Sequence, residues 1–337
     1  MAKFDVISIG GSVKDVTFYT DAGKIISTPE NLTAQQLLAF EYGAKISVKE
    51  AYFNLGGGAS NIAVSLSRLG FKVAAMTKVG NDEIGKEFLK KFRQEKVSQN
   101  LVQIDKKELS GFSFILATNK RDREHIVFVT PGANKNFVFK PPLNLKTDWF
   151  YLTSLVNKDW FKQAKEIFNF AAKENIKIIW NPGRLQLQAG KKALTPFLSQ
   201  AKILILNKDE AIELALSGIK LGRKNPNYLN RPLYLLNILS EWGPKILIIT
   251  NGKKGAWAYD GKNIYQQKIY PAKTVDTTGV GDAFGSSFLA GYIIEKNNII
   301  LALKWGMINS ASVVNKVGAQ NGLLKREIVE KKLLKLK

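Results

Sequence analysis

Six short runs of mostly branched apolar residues punctuate this chain: VISIG (6–10), KVAAMTKVG (72–80), WFYLTSL (149–155), KIIWNPG (177–183), ILILN (203–207) and ILIITNG (246–252). Each is apolar at odd and even positions alike and ends in turn residues, the pattern of a strand buried on both faces. Between them lie ASNIAVSLSRLG, EIGKEFLKKFRQEK, KDWFKQAKEIFNFAAKEN, KDEAIELALSG and YLLNILSEWG, whose apolar residues recur three or four apart, as along one side of a helix. The alternation predicts an α/β fold: a mostly parallel central sheet flanked by helices, with ligands bound at the carboxyl ends of the strands. One such domain can use all 337 residues, and an apolar content of 45% is enough for its core.

Two segments break the alternation. Residues 11–55 contain SVKDVTFYTDAGKIIS and KISVKEAYFNL, and residues 110–130 read SGFSFILATNKRDREHIVFVT, two β-rich arms around the charged turn NKRDRE. These strands are expected to form a small separate sheet, a β lid (11–55 and 110–130) over a core made of 1–10, 56–109 and 131–337. Hinges are expected near Gly10 and Gly11, Gly56 to Gly58, and Pro131 and Gly132. Exposed lid edges would allow a homodimer to form through the lid.

Composition removes several chemistries. Cysteine is absent, which excludes disulfide scaffolds, thiolate zinc sites and cysteine nucleophiles, and His125 is the single histidine, which excludes metal sites built from several histidines. No run approaches about 18 apolar residues, and the first residues lack the apolar stretch of a signal peptide, so a cytoplasmic protein without a membrane partner is expected. The formal net charge of +22 raises a rival, a basic nucleic-acid-binding protein, which would bind duplexes with a steep salt dependence. Against it, the lysines are scattered, no block of five or six like charges occurs, and no zinc-finger or RNP pattern is present. The tail KREIVEKKLLKLK reads as an amphipathic helix with Ile328, Val329, Leu333, Leu334 and Leu336 on its apolar side.

Three glycine loops compete as anion sites. GNDEIGKE (80–87) nearly matches a P-loop, but Glu87 stands where the metal-binding hydroxyl belongs, and Asp82 and Glu83 put negative charge where phosphates would sit. GGGASN (56–61) has Asn61 where a dinucleotide fingerprint needs its third glycine, so it suits one small polyol better than a pyrophosphate; the plain alternative is that Ser60 and Asn61 cap the helix. The third, DTTGVGDAF (276–284), places Gly279, Val280 and Gly281 before Asp282 at the start of an apolar helix. Its backbone N–H groups form a nest for a transferring phosphoryl group, and a carboxylate beside that nest takes the proton of an attacking hydroxyl. The plain alternative is that Asp282 caps the helix.

Together these residues resemble the ribokinase-like (PfkB) family of carbohydrate and nucleoside kinases. LGGGASNIAVSLSRLG (55–70) is similar to its N-terminal signature and DTTGVGDAFGSSFLAG (276–291) to its C-terminal one, about 220 residues apart and in the expected order. GGSVKD (10–15), VGNDEIG (79–85), TPGAN (130–134), NKDE (207–210), TNGKKGAW (250–257) and VGAQ (317–320) extend the likeness over nearly the whole chain. The resemblance implies ATP and Mg²⁺, with Asp282 as base and Gly279, Val280, Gly281 and Asp282 as the anion hole. It implies that Asp15, Gly57, Gly58 and Asn61 bind the acceptor. It puts Asn207 and Glu210 around Mg²⁺ through water, Thr250, Gly252 and Gly255 at the nucleotide loop, and Asn309 on the helix over the adenine. Asp276 and Thr278, with the carbonyls of Val313 and Gly318, correspond to a monovalent-cation site, so K⁺ is a further candidate. Two departures stand out: Val280 replaces a smaller residue, and Leu152-Thr153-Ser154 lacks the glutamate of ribokinases. The implied activity is transfer of the γ-phosphoryl group to a hydroxyl of a small sugar, or alternatively of a nucleoside. Phe18, Tyr19, Phe112 and Phe114 either stack on a base or fill the core of the lid.

Overall fold

The computed structural model describes residues 3–28, 36–118, 125–220 and 226–335. The turn NKRDRE and Leu336 therefore lie outside the described residues. In chain order the first strands are β1 (Phe4–Ile9), β2 (Val13–Thr20), β3 (Lys24–Ser27), β4 (Gln36–Ala39), β5 (Glu50–Gly56), β6 (Val73–Met76), β7 (Lys78–Gly80) and β8 (Gln103–Asp105). They are followed by β9 (Gly111–Thr118), β10 (His125–Thr130), β11 (Thr147–Leu152), β12 (Lys177–Trp180), β13 (Ile203–Asn207), β14 (Ile246–Thr250), β15 (Ala256–Tyr259) and β16 (Ile264–Gln267). The helices are α1 (Gly58–Arg68), α2 (Glu83–Gln94), α3 (Trp160–Lys173), α4 (Arg184–Leu198), α5 (Lys208–Leu216), α6 (Pro232–Ser240), α7 (Val280–Ile294), α8 (Ile299–Val313) and α9 (Arg326–Leu334).

The central sheet runs β16-β15-β14-β13-β12-β11-β1-β6, and its pairs from β14 to β6 are all parallel. The doubly apolar runs are legible in the packing. Ile7, Ile9, Phe150, Leu152, Ile178, Trp180, Leu204 and Leu206 point to one face, under α3, α4, α5 and α6. Val6, Trp149, Tyr151, Ile179, Ile203 and Ile205 point to the other, under α1, α2, α7, α8 and α9. Each such side chain contributes roughly 1.5–3 kcal/mol on burial, which commits the sheet to a covered position. A second sheet, β10-β9-β2-β5, is drawn from the two segments that interrupt the alternation.

Four local readings change. The run 72–80 is two strands, because Thr77 is buried with its hydroxyl donating to Ser12 Oγ at 3.0 Å, and beyond it β7 leaves the central sheet to pair with β8. Helix α4 escaped the periodicity reading because Gly190 (φ 74°) interrupts it and Pro196 lies inside it. β15 and β16 add an antiparallel edge beyond β14. On α9 only Val329 and Leu333, one turn apart, are buried, while Ile328 and Leu334 are exposed.

Candidate active site

The N-termini of α1 and α7 meet beside the carboxyl ends of the parallel strands. Helix α7 begins after Gly279, whose left-handed backbone (φ 74°, ψ 4°) and contact with Ala319 leave no room for a Cβ. The first helical hydrogen bond of the turn is donated by Ala283 N to Gly279 O at 2.9 Å, so the amides of Gly281 and Asp282 precede it and have no intrahelical acceptor. Gly281 is exposed, and no heavy atom lies within 4 Å of where its Cβ would stand. The side chain of Val280 packs with Val64, Ala283, Val313 and Leu323, so it does not crowd this loop as its size suggested.

Asp282 does not cap α7. Its Oδ2 accepts a hydrogen bond from Asn61 Nδ2 at 2.8 Å. Burial pushes the Asp282 carboxyl up to about 6, with the Asn61 bond pulling the other way. Nor do Ser60 and Asn61 cap α1, whose N-cap is Gly57 without a side-chain bond; both accept from Gln320 Nε2 instead, at 3.1 and 3.0 Å.

Across from Asp282 stands the inner face of the small sheet. Asp15, only 8% exposed, lies in register between Asn54 and Ser113, and Ser113 Oγ donates to its Oδ1. Its carboxyl is raised to about 6, by burial first, against the Ser113 bond, and then by the charges of Asp282 and Asp276. Sequence reasoning missed Asn54 and Ser113; the period of two along strands flanking Asp15 was the signal that could have found them. Gly57 (φ 87°) would bring a Cβ to 2.6 Å from Gly11 O, and Gly58 would bring one to 2.8 Å from Thr153 Oγ1. The Thr153 hydroxyl donates to Ile9 O at 3.1 Å, so the residue in place of the ribokinase glutamate packs beneath the acceptor loop. Phe18, Phe112 and Phe114 lie on the face of the small sheet opposite Asp15, with Phe18 and Phe114 edge to face at 4.8 Å. Tyr19 is on the Asp15 face, buried against Tyr52 at 5.8 Å.

Asn207 and Thr250 end neighbouring strands and are register partners. Asn207 Oδ1 accepts from Glu210 N at 2.9 Å, and Asn207 N donates to Glu210 Oε2 at 2.8 Å, the reciprocal box that starts α5. Glu210 is pushed up to about 7 by burial, against the Asn207 amide, and then by the carboxylates of Asp209, Glu213 and Asp282. Gly252 (φ 46°) has open space where a Cβ would stand, whereas Gly255 closes the turn into β15 against Gln267. Asp276 accepts from Thr278 N at 2.9 Å and Gly318 N at 2.8 Å, while Thr278 Oγ1 is buried without a partner. The Val313 carbonyl is taken by Lys316 N at 3.0 Å.

Asn309 is not at the surface of this site. Its Nδ2 donates to Ser287 Oγ at 2.6 Å and its Oδ1 accepts from Leu324 N at 2.9 Å, so its fully buried amide is spent joining α8 to α7 and to the chain before α9. The rejected P-loop has a physical reading too. Asp82 caps α2, accepting from Gly85 N and Ser110 N at 2.7 Å each, and its carboxylate fills the seat a phosphate would need.

Residues 31–326 match the family model described as pfkB family carbohydrate kinase. An uncharacterized sugar kinase of Archaeoglobus fulgidus is 30% identical over 266 residues, 77% of this chain and 98% of that one. Among solved structures, the nucleoside kinase of Methanocaldococcus jannaschii, an archaeal member of the ribokinase family, superposes with a TM-score of 0.76 at 21% identity, over 99% of this chain and 100% of that one. Ribokinase of Arabidopsis thaliana, complexed with ribose and ATP, gives 0.75 at 18% identity, over 98% and 99%.

Proposed function

The chain belongs to the pfkB family of carbohydrate kinases, phosphotransferases that act on hydroxyl groups, and on that premise we propose that it transfers the γ-phosphoryl group of ATP to a hydroxyl of a small sugar. One observation carries the reading: a carboxyl raised to about 6, held by Asn61, stands in the first turn of a helix whose Val280 amide is taken by Thr277 O at 3.4 Å but whose Gly281 and Asp282 amides have no intrahelical acceptor, with Gly281 open to solvent. As the acceptor oxygen bonds to the γ-phosphorus and the bond to the β–γ bridging oxygen breaks, the hydroxyl proton passes to Asp282. The amides of Gly281 and Asp282 hold the phosphoryl oxygens, and Asp15, positioned by Ser113, accepts from the acceptor's other hydroxyls.

Asn207 and Glu210 fit a hydrated dication, because three further carboxylates already raise Glu210 and a positive charge there would relieve them. When bound, Mg²⁺ supplies neutralisation of charge on the phosphates. The orphaned Thr278 hydroxyl beside Asp276 likewise fits K⁺. Thr250 and Gly252 line the nucleotide side, and the general positive charge attracts the triphosphate.

A sugar is favoured over a nucleoside because Phe18, Phe112 and Phe114 face away from Asp15, and Tyr19, which shares its face, is buried against Tyr52. The small sheet (11–55 and 110–130) moves as a lid over the core of 1–10, 56–109 and 131–337, a reading supported by the positive φ of Gly10, Gly57 and Gly132 at three of the four crossings. A second copy covers the outer face of the lid in a homodimer, a reading supported by Phe53 and Phe128, 66% and 57% exposed beside Phe114. The site of action is the cytoplasm, where ATP is held; among the described residues no helix is long and apolar enough to cross a membrane.

The test is ADP formation across a panel of pentoses, hexoses, their phosphates and nucleosides. A free sugar should support turnover that Asp282→Asn abolishes. Turnover with a nucleoside alone selects the alternative acceptor, and ADP formation independent of both acceptor and Asp282 refutes the mechanism.

A further inference from the structure

We infer that Gln320 is a positioning residue for phosphoryl transfer, holding the Asn61 amide in the one orientation that presents its nitrogen to Asp282. The inference deepens the proposed function and rests on Asp282 being its base. An asparagine amide has nearly the same shape either way round, so shape does not decide which end meets a carboxylate. Chemistry does: Asp282 Oδ2 needs a donor, which leaves Asn61 Oδ1 facing the other way, toward Gln320 Nε2 at 3.0 Å. Gln320 is 4% exposed, and it holds this orientation although its own Oε1 is buried without a partner. The donor toward Asn61 is therefore kept at the expense of an unmet acceptor.

The backbone supports the same geometry. Gln320 O and Leu323 O both accept from Arg68 Nη1, at 2.9 and 3.0 Å, and Arg68 is itself bound to Glu95 through Nη2 at 2.6 Å and Nε at 2.9 Å. The loop carrying Gln320 is thus fastened to the last turn of α1, whose first turn carries Asn61. The lock matters most after the proton has moved. While Asp282 is charged it attracts the Asn61 nitrogen unaided; once protonated it does so far less, and Gln320 keeps the amide in place until the base is regenerated.

Among the described residues, the other ionisable groups that feel the charge of Asp282 are Asp15 from β2, Glu210 from α5 and the Tyr151 phenol from β11. None of them is altered by a change at Gln320, so in a variant that adds no charge a response of Asp282 reports on Asn61. Gln320→Glu keeps the shape and replaces the donor by an acceptor, which turns the Asn61 nitrogen away from Asp282; Gln320→Met removes the donor without adding charge.

With an acceptor from the panel above, both variants should lower kcat about 5- to 30-fold, with KM for ATP changed less than about threefold. Neither should lower it further in an Asn61→Ala background. In selectively ¹³C-aspartate-labelled protein, with Asp282→Asn to assign the resonance, the Asp282 titration midpoint should rise by about one pH unit in both. An unmoved midpoint in the folded Gln320→Met protein, which adds no charge, or a loss of rate that adds to that of Asn61→Ala, overturns the inference. Because the titration needs no substrate, it decides the role of Gln320 even if no acceptor in the panel is phosphorylated.

Discussion

Replacing Asp282 by Asn separates a base from a structural carboxylate, because the two roles predict opposite changes in stability. Below about pH 4 the carboxyl is protonated in the folded and the unfolded chain, and Asp and Asn are equivalent neutral groups. Between the ordinary value of 3.8 and about 6 the folded chain keeps a proton that the unfolded chain has released. The unmodified protein therefore loses stability as pH rises through that window, and above it the loss is complete. About two pH units correspond to roughly 3 kcal/mol, which partial solvent access reduces to about 1–3 kcal/mol. Asp282→Asn escapes this loss and forfeits no helix cap, since the carboxylate caps nothing. Thermal melts from pH 4 to pH 8 should find the variant equal to the unmodified chain at the acid end and several degrees more stable at pH 8. Its phosphoryl-transfer rate should fall by roughly 10²–10⁴, and kcat/KM of the unmodified enzyme should rise with pH through about 6. A variant about 1 kcal/mol less stable at pH 8, or one retaining a tenth of the rate, refutes the reasoning.

Gly281→Ala adds a methyl group to open space at a helical position, so the melting temperature should hold or rise slightly while KM for ATP increases about tenfold or more; an unchanged KM removes Gly281 from the anion seat. Ser113→Ala deprives the buried Asp15 of its hydroxyl donor, and KM for the acceptor should rise about 5- to 30-fold, whereas a change confined to KM for ATP contradicts the assignment. Thr278→Val removes a buried hydroxyl without a partner; stability in sodium buffer should be unchanged or higher, and stimulation by K⁺ seen in the unmodified enzyme should vanish. Persistent stimulation in the variant, or none in the unmodified chain, excludes the site.

The parts most legible in advance were those written in one continuous stretch of residues. The doubly apolar runs located the parallel strands, since an apolar side chain at every position leaves a strand no solvent face. Helix α4 was hidden because Gly190 resets its phase, and the edge strands β15 and β16 because their alternation is short and mixed. Asn309 illustrates the opposite case: the resemblance put it on the helix over the adenine, and the buried hydroxyl of Ser287 and the Leu324 amide consume its side chain.

By itself the amino-acid order determined the α/β layering, the two interrupting segments and the glycine turn leading into Asp282, because each depends on periodicity or backbone freedom within a few neighbouring residues. Only the tertiary structure decided what Asp282 meets. Asn61, Gln320, Asp15 and Ser113 come from four distant stretches, and no local rule states which end of an amide faces a carboxylate or how deeply that carboxylate is withdrawn from water. Those relations, which set the charge state of the site, exist only once the long-range packing brings the groups within reach of one another.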